Sequence, residues 1–495
     1  MSVLEEVLAD AQPGYEDSVA TILARFDAHL DGVYDGAEAD EFVARTIVGL
    51  ERPDLDAGVR LQLISDLSAL AWWCGIDLGP QGAGALSALA RRTYYEAAQA
   101  VRVRIDRADP AAKTAHAVFV GPLVNRLHSP TRGAFDYVRA LARDPANRRV
   151  DVYYSGELTD DLRIYGGERL GADAGKARFI SMTANPDFLA DVVGDGFCTF
   201  HVWCEQAYAI HISLMSLLGP TVMFTCGDAA PAQFADVYWY CHEADYIRAL
   251  WAGQGAPESF GKRYRQTESA AFNRVAPLRT RTRAELGWGA GEVVIVTAGN
   301  RLGIDMDQVF VDGLAGFVMR HERVRWVVVG RLQDFFIGAF EQVLGERFTH
   351  VAFDPDLASL LALTDIFANP FRAGGGNTAV MAIDAGAVVL TRGDLGDVGA
   401  FVPPAHRAGD ADAYFAMLEA LVADPALRAA QAAEQRAVLA RRLDQDLFAE
   451  ELKALSALAY ERFAKRTPVS LEQVFAQAPT RRQTLKGSGR RARLR

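Results

Sequence analysis

The chain has 495 residues, of which 50% are hydrophobic and 23% charged, and its formal net charge is −11. This length and composition predict about two to four domains with large buried cores, and the negative charge argues against general nucleic-acid binding. No apolar run approaches the ~20 residues of a membrane span, and the start, MSVLEEVLADAQ, does not resemble a signal peptide. The five cysteines form no CxxC pair and sit among apolar residues, which predicts reduced thiols and a cytoplasmic protein.

The first part of the chain, residues 1–110, is predicted to form an all-helical domain. Segments such as DSVATILARFDAHL and LQLISDLSALAWWCGI place apolar residues at helical spacing, and strand-like alternation is rare.

Residues 111–285 are predicted to form a doubly wound domain. Short apolar runs, among them AHAVFVG, RRVDVYYSG and CTFHVW, alternate there with helical segments. Short buried strands that alternate with helices are typical of a parallel sheet covered on both faces. Polar, charged sequence at the end of this range predicts a domain boundary.

A second series of the same kind, residues 286–466, begins with the strand EVVIVTAGN and ends in a long closing helix. The predicted fold class is therefore α/β, with two doubly wound Rossmann-like domains after an all-helical one. Residues 467–495 form a basic tail, in which Arg481–Arg495 contains seven Lys or Arg. The tail is interpreted either as disordered or as an arm that contacts an anionic membrane surface weakly.

A glycine-rich turn late in the second series is the strongest candidate for a ligand site. Gly374, Gly375 and Gly376 follow the predicted strand IFANP and precede a helical segment. Ligands bind at the carboxyl ends of parallel strands, and the positive end of a helix attracts an anion, most naturally a phosphate. Asn377 and Thr378 are predicted to cap this helix or to face the ligand. The alternative is a tight turn that merely requires glycine.

Two other turns are predicted to lie at the same edge of the second sheet. Asn300 and Arg301 follow its first strand, and an arginine there can hold a phosphate in a forked contact or be an ordinary surface residue. The segment GDLGDVG contains Asp394 and Asp397, which are expected to bond hydroxyls or cap a helix because a phosphate would repel them. No carboxylate pair at metal-ligand spacing appears in this domain, so no metal site is predicted.

The first series offers a candidate general base, His128, between its first strand and the following helix. The alternative is a structural histidine. Ser129 or Thr131 is predicted to cap that helix, with a proline in its first turn. His201 and Glu205, in HVWCEQ, are interpreted as residues that follow another strand end and line the cleft.

Together these features resemble glycosyltransferases of the GT-B fold. The segment GGGNTAVMAIDAGAVVLTRGD is similar to the part of their second domain in which a glycine-rich turn precedes a helix that ends at a Gly, here Gly386. AGNRL is similar to the start of that domain in retaining enzymes. LHSPT resembles the HPT turn of the O-GlcNAc transferase group and its bacterial protein-glycosylating relatives, which also carry a helical domain ahead of the GT-B pair.

The resemblance implies an enzyme that moves a hexose or N-acetylhexosamine from a nucleotide-diphosphate sugar to an acceptor. It implies that the donor, expected to be a UDP sugar, lies against the second domain, and that the acceptor, a protein or a growing glycan, lies against the first. It also implies that neither a metal nor another cofactor is needed, and no nucleic-acid partner is expected.

The sequence departs from the family at two positions. A carboxylate that often bonds the nucleotide ribose is replaced by Met381, and a lysine of the retaining enzymes is replaced by Met306. These departures leave the nucleotide open and keep two alternatives in view. One is a binding protein that retained the fold and lost activity, and the other is a GT-B-like sugar-nucleotide epimerase, which needs no acceptor.

Overall fold

The computed structural model divides the chain into two compact units, Met1–Thr267 with Gln445–Arg495, and Glu268–Asp444. The residues that it describes are 16–30, 39–73, 85–86, 89, 93, 114–126, 128–155, 157–182, 192, 197, 199–203, 215–216, 219–225, 235–253, 256, 258–270, 274–300, 302–332, 334–372, 374–393 and 397–466.

The described residues of the first unit begin with the helices α1 Glu16–His29, α2 Ala39–Leu50 and α3 Ala57–Trp73. Their apolar residues recur at helical spacing and meet in one core, in which the rings of Phe26 and Phe42 pack edge to face with centroids 6.0 Å apart. The described part of residues 1–110 is therefore helical, as the apolar spacing predicted, and the rest of the expected helical domain lies outside the described residues.

A seven-stranded parallel sheet forms the centre of the first unit, in the strand order β3-β2-β1-β4-β5-β6-β7. The order reverses between β1 and β4, which makes that point the switch at which doubly wound sheets bind ligands. Its strands are β1 Ala115–Pro122, β2 Arg149–Ser155, β3 Ala177–Ser181, β4 Thr199–Trp203, β5 Thr221–Phe224, β6 Val237–Tyr240 and β7 Tyr264–Gln266. Its described helices are α4 Ser129–Arg143, α5 Asp160–Leu170, α6 Ala244–Gly253, α7 Glu258–Arg263 and the last helix of the chain, Gln445–Lys465.

A six-stranded parallel sheet forms the second unit, in the order β10-β9-β8-β11-β12-β13, with its switch point between β8 and β11. Its strands are β8 Val293–Ala298, β9 Val324–Val329, β10 Phe348–Val351, β11 Ile366–Ala368, β12 Val388–Arg392 and β13 Arg407–Ala408. Its described helices are α8 Leu302–Asp305, α9 Gln308–Arg320, α10 Asp334–Leu344, α11 Leu357–Leu361, α12 Gly376–Ala385, α13 Ala411–Ala423 and α14 Pro425–Arg442. The helix Gln445–Lys465 of the first unit follows these in chain order and is called α15. The prediction of two parallel α/β domains is confirmed.

The division between the units differs from the expected boundary near residue 285. The polar segment before β8 is part of the second unit, because Arg281 pairs with Asp354 at 2.6 Å and Arg283 with Asp365 at 2.7 Å. Its charges thus bind it to the second unit.

The closing helix was expected to belong to the second domain, but α15 packs in the first unit. The ring of Phe448 lies 5.9 Å from that of Tyr137 and 5.6 Å from that of Trp239, measured between centroids. The burial of its apolar side chains against α4 and the first sheet therefore places this helix in the first unit. None of the described helices combines the length and apolar character that a membrane crossing requires.

Candidate functional site

The glycine-rich turn lies where β11 gives way to α12, at the switch point of the second sheet. The N-cap of α12 is Gly375, with a left-handed φ of 103°, and the helix ends at Gly386, with φ of 100°. The predicted turn, helix and helix end are thus all present. The cap prediction is wrong: Asn377 and Thr378 lie inside the first turn, and the N-cap glycine has no side chain to offer.

Gly375 is required by its own neighbours. A Cβ placed there would lie 2.5 Å from Nη2 of Arg372 and 2.8 Å from Oδ1 of Asn369, and few L-residues adopt its φ. The buried side chains of Arg372 and Asn369 are hydrogen-bonded to each other at 3.1 Å, so they cannot simply move aside. At this position the tight-turn interpretation is sufficient.

The glycines on either side differ from Gly375. A Cβ at Gly376 would lie 2.7 Å from Oδ2 of Asp397, so this carboxylate packs against the first residue of α12. A Cβ at Gly374 would meet no atom within 4 Å among the described residues, and its φ lies outside the left-handed region. Of the three glycines, Gly374 is therefore the one whose backbone no described atom crowds.

The first turn of α12 presents backbone donors. Among the described residues, no acceptor bonds the N–H groups of Gly376, Asn377 and Thr378, and the first bond of the helix runs from Ala379 N–H to Gly375 O at 3.0 Å. Helix starts leave such groups unsatisfied unless side chains, water or ligands bond them. Three adjacent donors at the positive end of a helix form a seat for an anion.

Arg372, which the sequence analysis missed, supports this turn. Its Nη2 donates to Ala298 O at the end of β8 (2.8 Å), and its Nη1 lies 3.5 Å from Oδ2 of Asp305. The guanidinium thus ties together the ends of β8 and β11, the two strands at the switch point. Its position directly before the glycines, in FRAGGG, is the feature of the sequence from which a role in this turn could have been predicted.

The other second-unit candidates are distributed differently. Asn300 is exposed after β8. Met306 packs against the hydrophobic core, and Met381 is half-buried on α12. Arg301 and Asp394 lie outside the described residues.

In the first unit, His128 occupies the N-cap position of α4, with Pro130 in the first turn. Its Nδ1 lies 2.8 Å from Oγ1 of Thr131, which also accepts the N–H of Val124 at 3.1 Å. Thr131 therefore fastens the loop, and neither it nor Ser129 caps the helix as predicted. Burial, and then the charge of Arg132, lower the pKa of His128 to about 3, so its imidazole is neutral at pH 7 and only weakly basic.

His201 does not follow a strand end. It is the third residue of β4, fully buried under α4, and the strand continues to Trp203. The expectation that His201 lines a cleft is therefore wrong. Glu205 lies outside the described residues.

His201 belongs instead to a chain of buried hydrogen bonds that crosses the switch point. Nδ2 of Asn147 donates to Leu141 O at 2.9 Å, so its Oδ1 accepts from Nε2 of His116 at 2.8 Å. Nδ1 of His116 must then accept from Nε2 of His201 at 3.0 Å, and Nδ1 of His201 from the hydroxyl of Tyr137 at 2.7 Å. Both rings are assigned as neutral Nε2–H tautomers, and burial lowers the pKa of each.

No cluster of three or more metal-binding side chains occurs within the described part of the chain.

Solved structures with similar folds include glycosyltransferases. The chain matches an O-GlcNAc transferase mutant of Thermobaculum terrenum with a TM-score of 0.59 and 16% identity, over 86% of this chain and 82% of that one. It matches a glycosyltransferase from Rickettsia africae ESF-5 with a TM-score of 0.52 and 11% identity, over 72% of this chain and 100% of that one. No protein-family model and no curated protein matches the sequence. These likenesses and the two doubly wound sheets show that the chain has the GT-B fold.

Proposed function

We propose that this protein is a glycosyltransferase that takes a hexose or N-acetylhexosamine from a nucleotide-diphosphate sugar, with UDP as the nucleotide. The observation that carries the proposal is the trio of N–H groups on Gly376, Asn377 and Thr378 that no described residue bonds, at the switch point of the second sheet. A diphosphate is the anion that suits such a helix start, and the open backbone at Gly374 lets it approach.

The proposed chemistry needs charge stabilisation at that seat. When the bond between sugar and diphosphate breaks, the leaving diphosphate gains negative charge. Fixed N–H donors at a helix start stabilise that charge without reorganising. Arg301, which follows β8, is the proposed cationic partner. Asn300 is exposed beside it and is proposed to contact the donor as well.

The carboxylates and the acceptor side have separate proposed roles. Asp397 packs against the start of α12, where it would repel a phosphate, so we propose that it bonds a hydroxyl of the donor; Asp394 is proposed to do the same.

His128 is proposed as the base that receives the acceptor proton at Nε2, since Nδ1 faces Thr131. Its low pKa means that it contributes modestly.

The acceptor is proposed to bind the first unit and to be a protein or a growing glycan. The helices α1 to α3 pack around a core of their own, which supports a proposed role for the N-terminal helical region in holding such an acceptor.

The deciding experiment measures turnover by the full chain. UDP-glucose, UDP-N-acetylglucosamine and the corresponding GDP and TDP sugars are screened by thermal shift, and release of the nucleotide diphosphate is then followed with peptide and glycan acceptors. Acceptor-dependent release supports the proposal. Binding without turnover indicates a binding protein, acceptor-free interconversion of the sugar indicates an epimerase, and failure to bind any nucleotide sugar contradicts the proposal.

Metal independence is a prediction of this mechanism. Since backbone N–H groups and Arg301 are proposed to hold the diphosphate, a chelator is expected to leave the rate of transfer largely unchanged. Activity that disappears with EDTA and returns with Mg²⁺ or Mn²⁺ would contradict this prediction.

Arg301→Ala is expected to weaken UDP binding by roughly tenfold or more, because a charge-assisted bond to phosphate is lost. Uridine, which has no phosphate, serves as the control ligand and should bind both proteins equally. Calorimetry with both ligands checks this. An equal loss for UDP and uridine would mean that the residue acts on the fold or on the base.

A further inference from the structure

An arginine in the first turn of α4 is buried, and no described residue forms a hydrogen bond or a close ion pair with it. Arg132 is 8% exposed, and within the described part of the chain its guanidinium makes no hydrogen bond and has no carboxylate within 4.0 Å. Its Nε is among the buried atoms that lack a partner. Proteins almost always pair a charge that they bury this far, because desolvation is costly.

The surroundings of Arg132 add positive charge. Oδ1 of the nearby, fully buried Asp136 pairs with Arg169 at 2.5 Å and lies 3.9 Å from Arg139, while its Oδ2 accepts no hydrogen bond within the described part of the chain. Burial raises the pKa of Tyr165, so its phenol is neutral. Among the described residues, three guanidinium groups therefore outnumber the two carboxylates that act on them, Asp136 and Asp446.

The backbone beside Arg132 also offers donors. The N–H groups of Ser129 and Thr131 bond no acceptor among the described residues, whereas the N–H of Arg132 itself donates to His128 O at 3.0 Å. They stand at the positive end of a helix of 15 residues. Helical side chains lean towards the N-terminus of their helix, so the side chain of Arg132 extends over the turn that contains Ser129.

We propose that the start of α4 binds an oxyanion, a phosphate or a carboxylate, held by the guanidinium of Arg132 and the N–H groups of Ser129 and Thr131. This inference rests on the proposed function and extends it to the acceptor. The acceptor carries a phosphate or carboxylate, which binds at this site, close to the hydroxyl that receives the sugar. The side chain of Arg132 then selects the acceptor and takes no part in the chemistry.

The test uses the full chain with inorganic phosphate as the probe and sodium chloride at equal ionic strength as the reference. Hydrogen exchange distinguishes the start of α4 from the start of α12, which is a separate anion seat. UDP, added to saturation, occupies the second seat. Phosphate is expected to protect the amides of Ser129 and Thr131 with UDP present. Acetate in a parallel titration distinguishes carboxylate from phosphate.

Arg132→Met is expected to weaken this phosphate binding by roughly tenfold or more. Without phosphate it should be at least as stable as the wild type, because it removes a buried charge that no described residue pairs. Arg126→Met is the matched control, since Arg126 lies in the loop before α4 and is 61% exposed; it should bind phosphate normally. Arg132→Lys, which keeps the charge but loses the fork, should bind at an intermediate strength.

Three results would overturn the inference: unchanged phosphate protection in Arg132→Met, a loss of stability or of folding in Arg132→Met in phosphate-free buffer, or an equal effect of Arg126→Met. If UDP fails to bind while phosphate still protects the amides of Ser129 and Thr131, the proposed glycosyl transfer fails and the oxyanion site stands without its acceptor.

Discussion

Gly375→Val is expected to destabilise the second unit strongly, whereas Gly374→Val is expected to leave its stability unchanged and to weaken UDP binding. At position 375 a valine must adopt φ near 103° and push its Cβ into Arg372 and Asn369. Left-handed strain in a β-branched residue and overpacking each cost about 1–3 kcal/mol. The link between β8 and β11 through Arg372 would be disturbed at the same time.

Position 374 provides the matched comparison, with the same substitution one residue away. No described atom stands within 4 Å of the added Cβ, and the backbone is not left-handed there. The change in unfolding free energy should stay within about 0.5 kcal/mol. UDP affinity should nevertheless fall by roughly tenfold or more, because a branched side chain would stand where the diphosphate approaches.

Urea unfolding of both variants, followed by tryptophan fluorescence, and calorimetry with UDP check the pair. A stable Gly375→Val protein would contradict the account of the turn. A Gly374→Val protein with wild-type affinity for UDP would remove the diphosphate from the start of α12 and leave the turn with a purely structural role.

The buried histidines of the first unit are expected to make its stability depend on acid. Burial lowers the pKa of His116, and that of His201 well below its ordinary value, so both take up a proton at a lower pH in the folded state than in the unfolded chain. The unfolded chain takes up these protons, and each histidine then removes up to about 1.4 kcal/mol of stability per pH unit. Buried carboxyls oppose this trend, since burial raises the pKa of Asp236 to about 6.

A variant without the imidazoles isolates their contribution. His116→Leu/His201→Leu should be less stable than the wild type at pH 7.5, because Tyr137 and Asn147 lose their partners. This difference should shrink as the pH is lowered to 5, since the double variant has no imidazole to protonate there. His29→Leu, at an exposed residue of α1, is the control and should follow the wild type. A difference that stays constant with pH would contradict the prediction.

Nuclear magnetic resonance of ¹⁵N-labelled histidine gives an independent readout. The direction of the hydrogen bonds requires the Nε2–H tautomer for both His116 and His201. A Nδ1–H tautomer in either ring would reverse the chain of bonds and contradict the assignment.

The sequence by itself determined the features that depend on residues close together in the chain. The apolar runs at strand length and the helical segments between them predicted two parallel sheets, because burial on both faces leaves that pattern in the chain. The turn after β11 and the helix end at Gly386 were also predictable, since few residues other than glycine adopt a left-handed φ there. Both features depend on neighbouring residues.

Only the tertiary structure decided which distant residues meet. The reason for glycine at position 376 is the side chain of Asp397, 21 residues further along the chain. The sequence pattern predicted that His201 is a polar residue near a strand end. It is instead buried, because its ring nitrogens form hydrogen bonds with His116, 85 residues away, and with Tyr137, 64 residues away.

The place of α15 was decided in the same way. Its apolar residues predict a helix, but Phe448 finds its aromatic partners in the first unit, more than 200 residues earlier along the chain. The periodicity of apolar residues predicts that a side chain is buried, but it does not predict which residues that side chain packs against. The partner is chosen by packing and hydrogen-bond satisfaction across the fold, which a local pattern does not contain.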